Sequence, residues 1–347
     1  MRRLQIVPQV CRKAMKLHTS SLVRLLACIV MPSAIAMAGE TEQHKWKLSA
    51  PLLTPGPRGS FDEVAVKDPS VVFCEGMWHV FYTARSKSEY TTAYVAAKRI
   101  EDLQSAPRHK LAMIRGKSRY GCAPQVFYFE PHRKWYLLFQ SRDSNYQPAF
   151  STTTSISEPE SWSEPTLLLR KDSPKKWIDF WIICDKTTAY LFYTEAHDRV
   201  IVRSTNLENF PNGWSEGSEV LRGVHEAVHV YKAIGADEFH MIYELNNEGT
   251  RSFGLATSRA IAGPWRKVTD RYATGDQLKY ANESNAWTEM VSHGEILRAG
   301  CNERMEYDPK SCKWLIQGIL EKDSKVTYES QPWRIGLMST TERSSED

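Results

Sequence analysis

The segment Val71-Val72-Phe73-Cys74-Glu75-Gly76-Met77-Trp78-His79-Val80-Phe81-Tyr82 reads as an apolar strand, a turn at Glu75-Gly76 and a second strand rich in aromatic residues. This pattern is typical of a β-hairpin, because Gly between two strand-forming runs lets the chain reverse direction tightly. Similar hairpins, each with Gly, Asp or Pro at its turn, are predicted at residues 125–140, 182–193, 228–243 and 305–317. The chain is therefore interpreted as a series of repeated antiparallel units.

A third strand follows most hairpins and leads to a tryptophan. These strands and tryptophans, which return after 52 and 51 residues, are 149–152 with Trp162, 202–205 with Trp214, and 255–258 with Trp265. Residues 93–97 and 334–338 resemble the equivalent strands of the first and last copies. Antiparallel units that repeat about every 50 residues predict an all-β fold, a five-bladed β-propeller. A two-domain β-sandwich would explain the strands but not the regular return of the tryptophans.

Residues 1–38 have the composition of a secretory signal peptide. Six basic residues and no acidic residue occur in 2–24, and an apolar run of 14 residues ends in Ala36-Met37-Ala38. That order of features is typical of a cleaved signal, and the run is too short to span a bilayer comfortably. We expect a secreted or periplasmic protein with one catalytic propeller domain over residues 39–347. Met15 is an alternative start, and a buried or interfacial helix is the alternative interpretation.

Charge and cysteine content argue against several other classes of protein. The chain has 45 Lys and Arg against 41 Asp and Glu, and removing six basic residues leaves 39 against 41, a net charge of −2. Nucleic-acid binding is therefore not expected, nor is membrane binding once the signal is removed. The five remaining cysteines form no Cys-x-x-Cys pair or His/Cys cluster, so no structural zinc site is expected. Cys301 and Cys312 flank a short strand, and a disulfide between them is one option in an oxidising compartment.

Three acidic residues lie at the beginning of apolar strands and are the candidate catalytic groups. They are Asp68 before Pro69, Asp179 within Trp177-Ile178-Asp179-Phe180-Trp181, and Glu226 after His225. Each has a simpler interpretation, since Asp before Pro often begins a turn and Glu226 could be an exposed loop acid. Asp179 is different, because an acid among aromatic residues is unfavourable unless it is paired or used.

The predicted propeller brings these three acids together, because the first strand of each blade lines the central channel. Asp68, Asp179 and Glu226 should therefore converge although they are 111 and 47 residues apart in sequence. Crowded carboxylates in a partly desolvated pocket separate one another's pKa values, so that one acts as a base and another as an acid. Glycoside hydrolysis with inversion needs an acid and a base about 6.5–9.5 Å apart, against about 5–5.5 Å for retention. Opposite sides of a channel favour the wider separation.

At these residues the chain resembles glycoside hydrolase family 62, whose members are secreted α-L-arabinofuranosidases. The resemblance extends from about residue 52 to 340, and its motif stretches are 67–68, 123–129, 134–137, 177–181, 209–213, 226–227 with 230–232, and 292–295. It implies a five-bladed propeller and an inverting, exo-acting enzyme. The expected product is single L-arabinofuranose side groups released from arabinoxylan or arabinose-containing oligosaccharides.

The resemblance also assigns roles to residues. Asp68 resembles the general base, Glu226 the general acid and Asp179 the third carboxylate, which tunes the acid and holds the sugar. The residues expected to bind substrate are Lys67, Gln125, Trp181 and Tyr328. His293, in Ser292-His293-Gly294-Glu295, is expected to face the channel beside a water or a calcium ion, although calcium prefers oxygen ligands. No cofactor is expected to be required, and the protein is expected to be a monomer.

Two positions depart from the family pattern. His225 stands where Phe commonly precedes the acid, and Glu289 stands where Asp commonly ends a Trp-Thr-Asp motif. We expect these changes to affect substrate preference more than the reaction. Two other functions remain open from the sequence: another five-bladed glycosidase, of the arabinanase or β-xylosidase type, and a non-catalytic carbohydrate-binding propeller.

Overall fold

The computed structural model describes residues 46–113, 120–141, 148–169, 177–280 and 285–340. The predicted signal peptide lies outside the described residues. The strands within these ranges are β1 (Trp46–Leu53), β2 (Ala65–Cys74), β3 (Met77–Arg85), β4 (Tyr90–Ala97), β5 (Arg108–Lys110), β6 (Gly121–Phe129), β7 (Lys134–Ser141), β8 (Pro148–Thr153), β9 (Thr166–Leu167), β10 (Trp177–Cys184), β11 (Thr188–Glu195), β12 (Arg199–Asn206), β13 (Ser218–Arg222), β14 (Glu226–Ala233), β15 (Phe239–Asn247), β16 (Thr250–Ser258), β17 (Arg266–Ala273), β18 (Leu278–Tyr280), β19 (Ser292–Ile296), β20 (Glu306–Tyr307), β21 (Lys313–Gly318) and β22 (Arg334–Thr340).

Helical structure in these ranges consists of short 3-10 turns. They are Ile100–Ser105, Glu130–His132, Pro159–Ser161, Gly275–Gln277, Pro309–Ser311, Glu321–Lys325 and Tyr328–Ser330. None of the described helices is long and apolar enough to cross a membrane.

The strands form five sheets, which are the blades of a propeller. Blades 1, 2 and 3 are β2 to β5, β6 to β9 and β10 to β13, and blade 4 is β14 to β17 with β20 added beside β14. Blade 5 has the order β19, β21, β22, β1 and β18. The innermost strands contact one another in sequence around a ring, from β2 through β6, β10, β14 and β19 back to β2. The predicted five-bladed all-β propeller is confirmed.

Burial explains the apolar character of the inner strands. The first eight residues of β2 are all buried, whereas no residue of β13, an outermost strand, is buried. Inner strands are covered on both faces by neighbouring blades, so they read as nearly continuous apolar runs rather than as alternating patterns. Two of the tryptophans that marked the repeat, Trp162 and Trp265, are buried and pack against Phe81 and Phe192 of the preceding blades.

A buried ion pair links the inner strands of three blades. Arg298 and Glu295 approach to 2.8 Å with almost no side-chain exposure. The Arg298 guanidinium also donates to the carbonyl oxygens of Val71 at 3.1 Å and Val126 at 2.7 Å. It therefore joins the inner strands of blades 1, 2 and 5, and satisfies hydrogen-bonding groups that water cannot reach.

The prediction of a hairpin over residues 305–317 is wrong. The first strand of blade 5 is β19, and β21 pairs with it. β20 instead pairs in parallel with β14 of blade 4, where Met305 and Tyr307 are fully buried. The connection between β19 and β21 is much longer than a hairpin turn, and part of it packs on the neighbouring blade.

The structure also has no disulfide between Cys301 and Cys312, which are both free thiols. Cys312 belongs to the largest apolar cluster, with Trp314 and Tyr307. Cys301 packs on a different cluster, beside Cys74 and Tyr128. The two sulfur atoms therefore lie in separate parts of the core, and the suggested bridge is not formed.

Candidate active site

Each innermost strand contains an irregularity at its start. The pairing with the second strand of the blade shifts register over residues 67–70, 122–125, 178–181, 226–229 and 292–294. In the first four blades, the residue at the shift has a positive φ: 48° at Asp68, 49° at Ala123, 55° at Asp179 and 50° at Ala227. A β-bulge of this kind turns side chains out of the regular pleat, so it can direct them into the channel.

Side chains from neighbouring strands satisfy the amides at these bulges. Gln317 of blade 5 accepts from Asp68 N at 2.7 Å, and Thr83 of blade 1 accepts from Ala123 N at 2.8 Å. Glu244 of blade 4 accepts from His293 N at 2.7 Å in blade 5. Each bulge is thereby fastened to the preceding blade, and its unpaired N–H group is not left without a partner.

Asp179 of blade 3 holds the bulge of blade 4 in the same way, because its Oδ2 accepts from the N–H of Ala227 at 2.8 Å. One candidate catalytic carboxylate therefore holds the backbone of the residue that follows another, Glu226. This contact fixes the relative positions of the two acids.

Asp68, Asp179 and Glu226 all line one pocket at the axis, a cavity of about 1230 Å³. Each carboxyl-bearing residue is at least nine-tenths buried. His293 links the first two, since its Nδ1 lies 3.5 Å from Asp68 Oδ1 and 3.6 Å from Asp179 Oδ2. The predicted convergence of the three acids is therefore present in the structure.

The three acids do not share one position in the repeat. Asp68 and Asp179 both occupy the bulge residue with positive φ, whereas Glu226 precedes that residue. In the strand pairing, Glu226 is opposite Glu244 just as Lys67 is opposite Thr83, so Glu226 corresponds to Lys67. All three acids lie at the start of an inner strand, as expected, but two occupy the bulge residue and the third lies one residue before it.

The pKa values of Asp179 and Glu226 move in opposite directions. Burial, reinforced by the nearby charges of Glu226 and Asp68, raises the pKa of Asp179 well above its usual value. Burial also acts to raise the pKa of Glu226, but Arg251 and the neighbouring histidines outweigh it, so that pKa is lowered. These opposite directions favour a proton on Asp179 over a proton on Glu226 in the free protein.

Arg251 is the charge that holds Glu226 ionised. Its Nη1 donates to Glu226 Oε1 at 2.8 Å and also contacts Glu244 Oε1. Glu244 is fully buried, and burial raises its pKa to about 7, although Arg251 acts to lower it. Arg251 therefore bridges a carboxylate in the pocket to one in the wall behind it.

The raised pKa of Asp179 makes the stability of the protein depend on pH. A carboxyl whose pKa is raised on folding contributes stability in full below its unfolded pKa of about 3.9, and that contribution is lost as pH rises through the folded pKa. Asp179→Asn mimics the neutral form at every pH. The variant should therefore gain stability relative to the wild type as pH rises from 5 to 8, by at most about 1.4 kcal/mol per pH unit.

Urea unfolding of both proteins across that pH range measures the effect. Asp237→Asn is the matched control, because the Asp237 side chain is 98% exposed and its curve should run parallel to that of the wild type. Parallel curves for Asp179→Asn and the wild type would show that Asp179 carries no raised pKa.

Two of the predicted substrate-binding residues lie at the pocket. Lys67 is buried and its Nζ donates to the Tyr328 hydroxyl at 2.6 Å, while Tyr328 is 43% exposed. Burial alone would lower the pKa of Lys67, but Tyr328 and Asp68 raise it above its usual value, so Lys67 is a cation. A buried ammonium joined to an exposed phenol suits the hydroxyl groups of a sugar.

Gln125 and Trp181 do not belong to the pocket lining, and a role for them in substrate binding stays a prediction. The Gln125 amide exchanges two hydrogen bonds of 2.7 Å with the backbone N–H and carbonyl of Ile182. The Trp181 indole donates to the carbonyl of Val230 at 2.9 Å, and its ring stacks on His229 at 4.1 Å. Both side chains are almost fully buried and join neighbouring blades.

The surroundings of His293 bear on the predicted calcium site. Its imidazole lies between two carboxylates and packs edge-on against His229 at 5.3 Å. Calcium needs six to eight oxygen ligands, and the nearby Glu295 is already paired with Arg298. This donor set does not fit a calcium cage, and a calcium ion beside His293 stays a prediction.

The two departures from the family pattern have different surroundings. His225 stacks on His197 at 4.5 Å, and its Nε2 lies 3.5 Å from Glu226 Oε2. Burial lowers the pKa of His225 to about 4, so its ring is neutral at neutral pH. Glu289 is exposed and accepts from the Glu321 N–H at 2.6 Å, which places it outside the pocket lining.

Sequence reasoning missed Arg251, Glu244 and Gln317. Glu244 had a signal that could have been used, because it is the acid within the apolar strand β15, and a buried acid requires a partner. Arg251 lies in the next strand along the chain, β16, and is within reach of it. The sequence around Gln317 contains no comparable signal, since its role depends on contact with blade 1.

Comparisons with known proteins agree with this geometry. The sequence model described as glycosyl hydrolase family 62 matches residues 46–339. α-L-Arabinofuranosidase C of Cellvibrio japonicus is 33% identical over 305 residues, which cover 85% of this chain and 46% of that protein. The chain therefore spans about half the length of this curated relative.

Solved structures give the same result. The catalytic domain of a family 62 α-L-arabinofuranosidase from Coprinopsis cinerea is 32% identical, with a TM-score of 0.79, over 86% of this chain and 98% of that one. An α-L-arabinofuranosidase from Podospora anserina, in complex with cellotriose, is 27% identical with a TM-score of 0.78 over 86% and 98%. A family-43 glycoside hydrolase shares only the fold, at 14% identity and a TM-score of 0.55. With the family sequence model matching most of its length and a buried carboxylate triplet at the propeller axis, the chain belongs to glycosyl hydrolase family 62.

Proposed function

We propose that this glycoside hydrolase is an exo-acting, inverting α-L-arabinofuranosidase that removes single arabinofuranose side groups from arabinoxylan. The observation that carries the proposal is the meeting of Asp68, Asp179 and Glu226 in one axial pocket. The printed names of the Cellvibrio, Coprinopsis and Podospora relatives, all α-L-arabinofuranosidases, support this activity.

Asp68 is the proposed general base. It accepts a proton from a water molecule as the water oxygen attacks the anomeric carbon of the arabinose. Glu226 is the proposed general acid and delivers a proton to the glycosidic oxygen as the bond to the xylose breaks. Because attack and departure occur on opposite faces of the ring, the configuration at the anomeric carbon is inverted.

The protonation states of the free protein set a requirement on this mechanism. Glu226 must gain a proton before it can act as an acid, whereas Arg251 keeps it ionised in the empty pocket. A bound sugar displaces water from the pocket, and this desolvation favours the neutral form of Glu226. Asp179 acts as a like charge on Glu226 once Asp179 ionises, so the two carboxyls share one proton along the reaction.

The pocket also supports the proposed side-group specificity. Lys67 and Tyr328 provide a cation and a phenol at one side, where they can bind the hydroxyls of a terminal arabinose. A cavity of about 1230 Å³ exceeds the 300–1,000 Å³ typical of small-molecule sites, so it leaves room for part of the xylan chain at its mouth. One similar family 62 structure, 28% identical, contains xylotriose.

Product analysis tests the proposal. The protein is incubated with wheat arabinoxylan, and the sugars released are identified by chromatography and followed by proton NMR. We expect arabinose as the single product, with the β-anomer appearing first because the linkage is α. Preparations of Asp68→Asn made in parallel control for contaminating activity.

Other products would contradict the proposal and indicate a different function. Arabino-oligosaccharides or xylose would indicate an arabinanase or β-xylosidase type of enzyme. Binding to arabinoxylan without any turnover would indicate a carbohydrate-binding propeller, and initial release of the α-anomer would exclude inversion.

Secretion after cleavage at Ala38 and a monomeric state are parts of the same proposal. Amino-terminal sequencing of protein from the extracellular or periplasmic fraction tests the first, and light scattering tests the second. A mature protein that retains residues 1–38 would contradict secretion by this signal.

A further inference from the structure

Three side chains at the edge of the pocket form a cluster that the proposed hydrolysis does not use as a unit. His197 lies in the turn between β11 and β12, and His225 and Glu226 lie at the start of β14. Within the described parts of the chain, these three form the group of His, Cys, Asp and Glu side chains whose ligand atoms all lie within 4.8 Å of one another. They come from two hairpins of the propeller, so the fold itself brings them together.

The two oxygens of the Glu226 carboxylate contact different neighbours. Oε1 accepts from Arg251 at 2.8 Å. Oε2 faces the two imidazoles, at 3.5 Å from His225 Nε2 and 3.6 Å from His197 Nδ1. The imidazole rings are stacked at 4.5 Å with an angle of 19° between their planes, and one nitrogen of each lies within 3.6 Å of the same carboxylate oxygen.

The two distances from Glu226 Oε2 to the imidazole nitrogens are close to those between ligand atoms around a bound metal ion. Zinc binds His nitrogen and carboxylate oxygen at about 2.0–2.2 Å in tetrahedral geometry, which places neighbouring ligand atoms about 3.3 Å apart. The two distances to Glu226 Oε2 exceed that value by only a few tenths of an ångström. The two imidazole nitrogens lie within 4.8 Å of each other. His197 Nδ1 also donates to the carbonyl oxygen of His225 at 3.1 Å, so metal binding requires this ring to give up that contact and present the lone pair of Nδ1. Rotation of the His197 side chain would then complete a three-ligand site, and a water would fill the fourth position.

The chemistry of the donors selects the kind of metal. Two imidazoles and one carboxylate suit zinc and similar transition metals, whereas calcium and magnesium require oxygen ligands. The site is also accessible, because the side chains of His197, His225 and Glu226 are 39%, 20% and 12% exposed. Arg251 lies next to the cluster and repels a cation, which predicts a moderate rather than a very high affinity.

We propose that His197, His225 and Glu226 bind a zinc-class divalent ion, and that the bound ion inhibits the enzyme. Coordination takes the Oε2 lone pair of Glu226, so this oxygen can no longer carry a proton to the leaving group. The inhibition rests on the proposed function, in which Glu226 is the acid, whereas the binding does not. His225, which departs from the family pattern, supplies one of the three ligands.

Calorimetric titration with zinc chloride, on protein without a histidine tag, tests the binding. We expect one zinc ion per wild-type chain, and at least about 100-fold weaker binding by His225→Phe and His197→Gln, since even lost outer-shell contacts cost about 10–100-fold. His109→Gln is the matched control, because His109 is exposed on β5 away from the pocket lining, and its titration should equal that of the wild type. Equal affinity of His225→Phe and the wild type, or no binding by the wild type at millimolar zinc, would overturn the proposal.

Inhibition is measured separately, as the zinc concentration that halves the metal-free rate of each protein. The wild type and His109→Gln should be inhibited, with full recovery after chelation, and His225→Phe should need much more zinc. Zinc that binds without inhibiting would overturn the second half of the proposal alone. If the wild type releases no arabinose at all, the proposed function fails while calorimetry still decides the metal site.

Discussion

Asp68→Asn should reduce arabinose release from arabinoxylan by about 10²–10⁴-fold, the usual contribution of a positioned general base. The Asn amide cannot accept the proton of the attacking water, so the loss should appear in kcat rather than in KM. The fold should tolerate the change, because the residue has a φ of 48° and Asn adopts this region more readily than most residues. The N–H of residue 68 still donates to Gln317, so the bulge remains fastened.

Steady-state kinetics on arabinoxylan and on an aryl arabinofuranoside measure the loss, and both substrates should show it equally. A base acts on the water, so the identity of the leaving group does not matter. Asp237→Asn, at a fully exposed site, should keep wild-type rates. Retention of more than a tenth of the wild-type kcat by a folded Asp68→Asn protein would remove Asp68 from the role of base.

Glu226→Gln should show a loss that depends on the leaving group. Release from arabinoxylan should fall by about 10²–10⁴-fold, because the xylose oxygen departs poorly without a proton. An aryl arabinofuranoside with a nitrophenol leaving group needs little protonation, so the variant should hydrolyse it at a rate much closer to that of the wild type. Gln is isosteric with Glu and can still accept from Arg251, so the position of the side chain should be preserved.

The ratio of kcat/KM on the two substrates is the decisive measurement. Asp179→Asn is the matched comparison, because the raised pKa of Asp179 favours its neutral form, which Asn resembles. Its losses on the two substrates should be similar if Asp179 only positions Ala227 and tunes Glu226. If the leaving-group dependence appears in Asp179→Asn and not in Glu226→Gln, Asp179 is the general acid and Glu226 is not.

The fold was predictable because most blades carry their own local signals. A turn such as Glu75-Gly76 between an apolar and an aromatic strand needs no long-range information, and the returning tryptophans give the period. Blade 5 could not be predicted in the same way. Its second strand follows a long connection, and the buried Met305 and Tyr307 imitate a hairpin strand although they belong beside blade 4.

The acids of the candidate site could be predicted from the sequence, but the residues that hold them in position could not. Asp68 and Asp179 could be found because acids next to strongly apolar strands need a reason to be there. The offset of Glu226 by one residue follows from the register of its bulge, which depends on pairing with β15. Gln125 likewise looks available in the sequence, and only contact with Ile182 of the next blade reveals that its amide is fully used.

Ring closure has a consequence for the order in which the molecule can be assembled. β1, near the beginning of the described chain, pairs with β22, which ends at residue 340. During synthesis β1 therefore has no antiparallel partner until the chain as far as β22 has left the ribosome. The hydrogen bond that holds the Asp68 backbone also forms late, because Gln317 lies only 17 residues before the beginning of β22. The candidate site around Asp68 should therefore form in the same cooperative event that closes the ring.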